Sequence, residues 1–407
     1  MSRPELPLLG IGFGPSNLAL AIALAEQGTR ATFLEAQPRF GWHRDMLLPG
    51  ARMQIPFLKD LVTLRDAKSN FTFVNFLSER GRLVDFIGRH NVFPSRLEFH
   101  DYLEWAAGHF ADEVRYGSRA VSVAASDDGF VVHTDDGRRF SAGALVLGVG
   151  LRPVLPAGVR PSLRQWHSHC LLSGVAALPA RSPRRFVVVG AGQSAAEVVA
   201  YLHRGFAGAQ VHSVFARYGY SVADDSAFAN RMFDPSAVDV FYGADEQVRQ
   251  RLLDYHRSSN YSAVEPELIA DLYDREYAEL VAADRRLHMH KASIISRVEE
   301  HADGVQVTVT ALVDGSRETL DCDAIVYATG YAPTNVAELL GDVAAHYEFD
   351  GRHRPVVSRD YRLRAKAGAP GDIYLNGSAV EHTHGLGATL LSNVAVRAGE
   401  LATALRS

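Results

Sequence analysis

Hydrophobic residues recur with two different spacings along the chain, and the alternation between them predicts an α/β protein. An apolar run from Leu6 turns at a glycine-rich stretch, continues with helical spacing to Gly28, and returns as a second apolar run that ends at Glu35. The same order of strand, glycine turn, helix and strand recurs between Arg185 and Phe215. Because the apolar period switches from that of a strand to that of a helix and back, both segments are predicted to be βαβ units.

After each βαβ unit the apolar positions change to the two-residue period of β-strands. The segments with this period are residues 120–124, 130–134, 144–148, 304–310 and 324–328. Gly12 lies 138 residues before Gly150, and Gly190 lies 140 residues before Gly330. The sequence therefore predicts one design, a βαβ unit followed by a β-meander, that occurs twice in the chain.

The first glycine turn has the chemistry of a dinucleotide-binding site. Gly12 permits a tight turn, and Gly14 lets the backbone approach a pyrophosphate at the positive end of the helix. Glu35 ends the returning strand, where an acid can accept a hydrogen bond from a ribose hydroxyl. Asn17 takes the third position of the motif, where glycine or alanine is usual. These four residues are predicted to bind a cofactor.

The same N-terminal run also resembles a signal peptide or a membrane span, because about twenty mostly apolar residues follow Arg3. Glycines and Pro15 interrupt the run at the spacing of the dinucleotide motif. Glu35 arrives about twenty residues after the turn, as nucleotide binding requires. The pattern therefore favours dinucleotide binding over membrane insertion.

The second glycine turn carries Gly190 and Gly192, so two nucleotide cofactors are expected. The first should be FAD, since a βαβ unit at the extreme N-terminus followed by a meander is the usual flavoprotein arrangement. The second should be a nicotinamide nucleotide. Its returning strand leads to Arg217 where the first unit has Glu35, which favours the 2′-phosphate of NADPH over NADH.

The predicted fold class is α/β, with two Rossmann-like dinucleotide-binding domains for FAD and NADPH, each with a β-meander, and a small helical insertion. The predicted domains are an FAD-binding domain at 1–160 and 325–407, an NADPH-binding domain at 161–217 and 285–324, and a substrate-binding insertion at 218–284. The insertion is longer than a simple connection and is expected to cap the active site, although a solvated helical decoration remains an alternative.

Smaller signals predict further elements. Ser95 with Glu98 three residues later is a capping box for a helix. Two helices are expected in the insertion, at Glu246–His256 and Glu267–Leu280, and a linker is expected at Arg152–Pro161.

Composition is that of a globular protein of 407 residues, long enough for two or three domains. The net charge of −5 gives no basic excess, so neither a nucleic-acid nor a membrane partner is expected, and a homo-oligomer is left open. Cys170 and Cys322 lie far apart and form no redox pair, which fits a reducing cytoplasm. His382 and His384 have no recognised ligand spacing, so no metal is expected.

Five motifs then narrow the function. They are Trp42-His-Arg-Asp-Met-Leu, Met53-Gln-Ile-Pro-Phe-Leu-Lys-Asp-Leu61, Asp224-Asp-Ser-Ala-Phe-Ala-Asn230, Ala328-Thr-Gly-Tyr331 and Thr383-His-Gly-Leu386. Together they closely resemble the flavin-dependent N-hydroxylating monooxygenases, in particular the L-ornithine N5-monooxygenases of hydroxamate siderophore and peptide biosynthesis. The resemblance covers essentially the whole chain.

The resemblance implies that NADPH reduces FAD, that O2 then gives a C4a-hydroperoxyflavin, and that the neutral side-chain amine of the substrate attacks its distal oxygen. It also implies roles for particular residues. The implied flavin neighbours are Trp42, His43, Met53, Gln54, Thr389, Leu390 and Leu391. The implied nicotinamide nucleotide contacts are Gln193, Ser194, Asn260 and Ser262. The implied substrate contacts are Lys59, Asn230, Asn260 and Ser392, with Gln54 and Asn260 catalytic.

Alternatives remain at this point. Pro56 stands where the ornithine enzymes often have serine, so L-lysine or another amine is an alternative substrate. Lys59 could also be a surface lysine, and Met53 and Trp42 could be core residues. A flavin disulfide reductase would need a redox cysteine pair, which the sequence lacks. A non-catalytic flavoprotein sensor or binding module would keep the fold without the insertion's polar residues.

Overall fold

Parallel strands form the centres of two separate sheets. The computed structural model describes residues 5–179 and 183–406, without the side chain of Asn260. In chain order, strands β1 to β17 are Leu6–Ile11, Thr32–Leu34, Val114–Arg115, Ala120–Ser126, Gly129–Thr134, Arg139–Leu147, Leu151–Pro153, Gln165–His167, Arg185–Val189, Gln210–Val214, Leu287–His290, Ser293–His301, Gly304–Ala311, Arg317–Cys322, Ala324–Tyr327, Tyr331–Pro333 and Asp372–Leu375.

Helices flank these sheets and fill the insertion. Helices α1 to α12 are Pro15–Glu26, Phe73–Glu79, Leu83–Gly88, Arg96–Gly108, Leu171–Ala177, Gln193–Gly205, Ala237–Gly243, Glu246–Asn260, Pro266–Ala282, Val336–Leu340, Glu381–His384 and Val394–Ala404. Ser95 is the N-cap of α4 and accepts a 3.1 Å hydrogen bond from the Glu98 backbone N–H, as its sequence predicts. Across the described residues, no helix has the length and apolar character needed to cross a membrane.

The first sheet is built around the N-terminal βαβ unit. Its strand order is β3-β2-β1-β6-β5-β4, and β17 also pairs with β6. β1 lies parallel to β2 and β6, whereas β4, β5 and β6 form an antiparallel meander. β17 comes from the C-terminal part of the chain and lies parallel to β6. The predicted strands of the first half are confirmed.

The second sheet repeats this design around the second βαβ unit. Its order is β11-β10-β9-β15-β8, with every pairing parallel. The β9 sequence Arg-Phe-Val-Val-Val is apolar and β-branched, as a strand covered on both faces requires. Strands β12, β13 and β14 form the accompanying antiparallel meander. The chain therefore folds as two Rossmann-like units, which confirms the predicted fold class.

Two short strands lie where the chain crosses between the halves. β7 and β16 pair antiparallel, so the predicted linker at Arg152–Pro161 begins as a strand. β15, just before the second crossing, is hydrogen-bonded within the second sheet. The predicted boundary at residue 325 therefore falls inside β15, and the chain leaves the second sheet only after Tyr327. Local apolar periodicity predicts a strand here but not the sheet to which it belongs.

The insertion contains α7, α8, α9 and a short 3-10 helix at Ala229–Phe233. The two predicted helices are confirmed, and both are longer than predicted. Pro266 starts α9 at its first turn, where the fixed φ of proline is tolerated. α8 continues through Asn260, so residues 257–260 form its last turn instead of a connection between helices.

Three side chains of the first half are buried in the hydrophobic core of the second. Met46, Leu48 and Ala51 are between 2% and 9% exposed and pack in one cluster with residues of α6, β9 and β15. The segment that carries them leads directly to Met53. The two halves therefore share a packed interface beside the residues predicted to bind the flavin.

Three imidazoles lie together where β10 meets β11. The His212 and His288 rings stack with centroids 4.4 Å apart, and His212 Nδ1 lies 2.8 Å from His290 Nε2. Burial, followed by the neighbouring His288 and His290, lowers the pKa of His212 from 6.5 to about 3. Burial also lowers the pKa of His288 and of His290. The cluster is therefore neutral at pH 7.

This cluster predicts acid sensitivity. A folded-state pKa below the unfolded value gives stability that is present above pH 6.5 and is lost as the pH falls toward 3, because the unfolded chain binds the proton first. For His212 alone, the loss between about pH 8 and pH 5.5 is on the order of 1 kcal/mol. We expect His212→Asn to reduce the pH dependence of the unfolding free energy by about this amount, measured by urea denaturation. Exposed His109→Asn is the control, and an unchanged slope for His212→Asn would contradict the assignment.

Candidate active site

A cleft of about 2280 Å³ lies between the two halves and the insertion. Many residues singled out in the sequence line it, although they come from distant parts of the chain. These are Met53, Gln54, Lys59, Gly190, Gly192, Gln193, Ser194, Arg217, Asn230, Ser262, Leu390 and Ser392. The tertiary structure thus brings these twelve predicted cofactor and substrate residues to one cavity.

The first glycine turn leaves space at the start of α1. Gly12 has a φ of +86°, and a Cβ there would clash with the carbonyl oxygen of Gly148. Gly14 is the N-cap of α1, where no side chain caps the helix and an added Cβ would meet nothing within 4 Å. The start of α1 therefore has open space beside Gly14 and no side-chain cap, and its first residue, Pro15, has no N–H to satisfy, which fits a pyrophosphate at this helix end.

Glu35 is held in place beside this turn. It is 8% exposed, and its two oxygens accept 2.8 Å hydrogen bonds from the backbone N–H groups of Phe13 and Gln37. An ionised carboxylate has about four acceptor positions, so two remain for other donors. This arrangement fits the hydroxyls of a ribose.

Asn17 belongs to a buried network of polar side chains. Its side chain is fully buried, donates a 2.7 Å hydrogen bond to the Gly12 carbonyl and accepts one of 2.9 Å from Asn376. Asn376 is held in turn by Arg397, also at 2.9 Å. The polar atoms of Asn17 are therefore already paired inside the protein, and its role as a cofactor residue stays a prediction.

The predicted flavin neighbours lie around the edge of the first half. Met53 is 7% exposed but reaches the cleft. The Trp42 and His43 rings meet edge to face with centroids 4.7 Å apart. Leu391 packs against the core of the first half, and the Thr389 hydroxyl donates to the Leu386 carbonyl at 3.1 Å.

The second glycine turn lies against the backbone of the insertion. Gly190 has a φ of +136°, and a Cβ there would clash with the Ala328 carbonyl oxygen. Gly192 is the N-cap of α6 without a side-chain cap, and its Cβ position lies 3.4 Å from the Cα of Ser262. Ser262 itself has a φ of +62°. The start of α6 therefore has no side-chain cap, and the backbone of the insertion at Ser262 lies directly beside it.

Arg217 and Gln193 differ in how much of each side chain is free. Arg217 is exposed and makes one weak bond, from Nη1 to the Ser262 carbonyl at 3.2 Å. The Gln193 amide donates to Glu197 at 3.0 Å and accepts from the Glu265 backbone N–H at 2.9 Å. Arg217 can therefore bind a phosphate, whereas the predicted contact of Gln193 with NADPH would compete with bonds it already makes.

Lys59 lies in a turn that a backbone hydrogen bond closes. Its backbone N–H bonds to the Pro56 carbonyl at 2.9 Å, and its side chain is half-buried at the cleft. The next residue, Asp60, is buried and accepts hydrogen bonds from the backbone N–H groups of Val62 at 2.9 Å and Phe73 at 2.8 Å. Burial nevertheless raises the pKa of the Asp60 carboxyl, partly offset by these bonds.

Asn230 and Ser392 line the same cleft as Lys59 and lie on separate elements. Asn230 donates its amide to the Asp225 carbonyl at 2.6 Å, which leaves its side-chain oxygen free to accept. Ser392 is 2% exposed at the wall of the cleft. Asn260 ends α8, and its side chain lies outside the described part of the structure.

Two cleft residues escaped the sequence interpretation. The Tyr261 hydroxyl donates to the Glu381 carboxylate and lies 3.5 Å from the Thr389 hydroxyl. Burial raises the pKa of the Glu381 carboxyl, against the lowering effect of the Tyr261 hydrogen bond. The available signals were the position of Tyr261 between Asn260 and Ser262, and the acid Glu381 two residues before the C-terminal motif that begins at Thr383.

Comparisons with known proteins agree over nearly the whole chain. A family model described as L-lysine 6-monooxygenase/L-ornithine 5-monooxygenase matches residues 5–333. An L-ornithine N(5)-monooxygenase from Burkholderia cepacia is 39% identical over 398 residues, covering 93% of this chain and 89% of that protein.

Solved structures give the same result. The ornithine N-hydroxylase of Kutzneria sp. 744, with reduced FAD, NADP+ and L-ornithine, is similar with a TM-score of 0.94 and 42% identity, covering 99% of both chains. The L-lysine 6-monooxygenase of Pseudomonas syringae is similar with a TM-score of 0.87 and 31% identity, also covering 99% of both.

Proposed function

Because this chain belongs to the L-lysine 6-monooxygenase/L-ornithine 5-monooxygenase family, we propose that it hydroxylates the side-chain amine of L-ornithine at N5, with FAD, NADPH and O2. The choice of L-ornithine as the substrate rests on the similarity to the Kutzneria ornithine N-hydroxylase, which is 42% identical over 99% of the chain. The lysine enzyme is 31% identical over the same share. The chain is an enzyme of the flavin monooxygenase class.

The two cofactors are assigned to the two halves. FAD belongs at the start of α1, where open space, a helix end without a side-chain cap and the hydrogen-bonded Glu35 fit an adenine dinucleotide. NADPH belongs at the start of α6, beside Arg217. The FAD-binding domain comprises the first sheet and the C-terminal segment of the chain that packs with it. The NADPH-binding domain comprises the second sheet and its meander. Residues 218–284 form the cap. When bound, FAD reduced by NADPH supplies the activated oxygen.

The chain's own residues then position the substrate. Lys59 can pair with the α-carboxylate of an amino acid, a contact between unlike charges in a partly enclosed site. The free side-chain oxygen of Asn230 can accept from the α-ammonium, and the Ser392 hydroxyl can bond either group. With the α end held, the far amine is directed into the cleft.

The amine must lose its proton before its lone pair can react. Met53 and Leu390 give part of the cleft an apolar lining. Enclosure by such groups disfavours the ammonium form and lowers the pKa of the bound amine. A cap that covers the bound substrate would exclude water and so strengthen the polar contacts that hold the substrate.

Preference for NADPH over NADH should depend on Arg217. A charge-assisted bond to the 2′-phosphate contributes about 1.5–3 kcal/mol, or roughly 10–150-fold in binding. We expect Arg217→Ala to lose most of this discrimination in stopped-flow flavin reduction with each nucleotide. Exposed Arg251→Ala is the control. Unchanged discrimination in Arg217→Ala would assign the 2′-phosphate to another basic residue.

Product analysis tests the function directly. The holoenzyme is incubated with NADPH, O2 and either L-ornithine, L-lysine or putrescine, and products are identified by mass spectrometry. We expect N5-hydroxyornithine as the main product, with oxygen uptake stimulated by L-ornithine. A protein that binds FAD but shows no substrate-stimulated oxygen uptake would instead be a non-catalytic flavoprotein.

A further inference from the structure

A bidentate ion pair joins the two halves at one side of the cleft. Arg96, the first residue of α4 in the first half, meets Glu197 on α6 of the second half. Nη1 and Nη2 donate to Oε2 and Oε1 of Glu197, each at 2.7 Å. The side chains are only 13% and 6% exposed. The pair is therefore enclosed, and its planar geometry fixes both distance and orientation.

Arg96 is also anchored within its own half. Its backbone N–H bonds to the Ala51 carbonyl at 2.9 Å, and Nη1 also donates to the Met46 carbonyl at 3.2 Å. Met46 and Ala51 belong to the segment that packs into the core of the second half. Arg96 thus stands at the packed interface between the halves.

The connection continues from Glu197 to the second glycine turn and the cap. Glu197 Oε1 accepts from Nε2 of the Gln193 side chain at 3.0 Å, and Oε1 of the same Gln193 side chain accepts from the Glu265 backbone N–H at 2.9 Å. Gln193 is the first residue of α6, and Glu265 is the N-cap of α9. A continuous series of hydrogen bonds therefore runs from the first half to the start of α6 and on to the cap.

We propose that Arg96 is a positioning residue for flavin reduction, which through Glu197 and Gln193 sets the NADPH-binding half and the cap at the required angle to the FAD-binding half. This inference rests on the proposed function. Hydride transfer depends steeply on the distance between the two rings, and each ring is held by a different half. An anchor that fixes the halves at a buried point therefore acts on the rate of reduction more than on the affinity for either nucleotide.

The test is single-turnover reduction of the flavin-loaded protein by NADPH, followed by flavin absorbance in a stopped-flow instrument without O2. We expect Arg96→Met to lower the limiting rate constant at least about tenfold, while the NADPH dissociation constant changes less than about threefold. Glu197→Gln should act in the same direction, and Arg96→Lys should recover part of the rate. Arg275→Met is the matched control, because Arg275 makes a bidentate pair with Asp271 inside α9 and joins no separate halves.

A second variant separates positioning from stability. Arg96→Met with Glu197→Met leaves no unpaired buried charge, so it should regain thermal stability lost in the single variants without regaining the reduction rate. The proposal would be overturned if the double variant regained both its thermal stability and its reduction rate. A limiting rate for Arg96→Met within about threefold of wild type would also overturn it.

Domain orientation gives a readout that does not depend on turnover. Spin labels are attached at Asp112→Cys and Val313→Cys, one in each half, in a Cys170→Ser background. The distance between the two labels is measured by pulsed electron paramagnetic resonance. We expect the distance distribution to broaden or shift when Arg96 is replaced by Met, and an unchanged distribution would contradict the proposal. Wild-type protein that reduces its flavin with NADPH but does not hydroxylate ornithine would refute the proposed function and leave these measurements valid.

Discussion

The Gly14→Val protein is expected to purify folded but colourless. A Cβ at Gly14 meets nothing within 4 Å, and the φ of −80° suits any residue, so the substitution adds no strain to the protein itself. Its side chain would occupy the space at the start of α1 that a pyrophosphate needs. Loss of two charge-assisted hydrogen bonds of about 1.5–3 kcal/mol each weakens FAD binding by roughly 10² to 10⁴-fold. Flavin absorbance per chain is the measurement.

Two other glycines make this result specific. Gly108→Val also meets nothing within 4 Å, but at the end of α4, and should keep its full flavin content. Gly12→Ala would clash with Gly148 and should lower the melting temperature as well as flavin content. If Gly14→Val instead retains its flavin and melts like the wild type, FAD does not bind at the start of α1.

The second large effect is expected for Lys59→Ala. Without the lysine, the α-carboxylate of ornithine loses a charge-assisted partner, which costs about 1.5–3 kcal/mol and raises the half-saturating ornithine concentration roughly 10–150-fold. Flavin content and NADPH oxidation without substrate should change little, because the proposed contact of Lys59 is with the substrate and not with either cofactor. Steady-state hydroxylation over a range of ornithine concentrations gives the comparison.

Exposed Lys68→Ala is the control for this variant, since it removes the same charge from the same stretch of chain outside the cleft. Substrate analogues test the same contact from the other side. Putrescine lacks the carboxylate and should hardly be hydroxylated, whereas lysine differs by one methylene, for which a pocket gives about 1–3 kcal/mol of discrimination. If the wild type hydroxylates putrescine as well as ornithine, or if Lys59→Ala keeps its ornithine affinity, then Lys59 does not bind the substrate carboxylate.

The sequence by itself determined the repeated design of the fold. Glycine at positive φ in the turns, Ser95 as a helix cap and the β-branched run of β9 act through neighbouring residues, so their effect is visible in the local pattern. The motif spacing likewise predicted that Gly14 and Glu35 would meet at one site, because a βαβ unit has a fixed geometry. The insertion helices were predicted for the same reason, although α8 extends past its predicted end.

Only the tertiary structure decided how polar groups from distant segments are used. Asn17 is paired with Asn376, Arg96 with Glu197 and Tyr261 with Glu381, and these partners are separated by 359, 101 and 120 residues. Such pairs depend on how the sheets and the insertion pack together, and no local period encodes that packing. The sheet membership of β15 was missed for this reason. A buried polar group must find a partner somewhere, and the three-dimensional arrangement of the halves determines which one it finds.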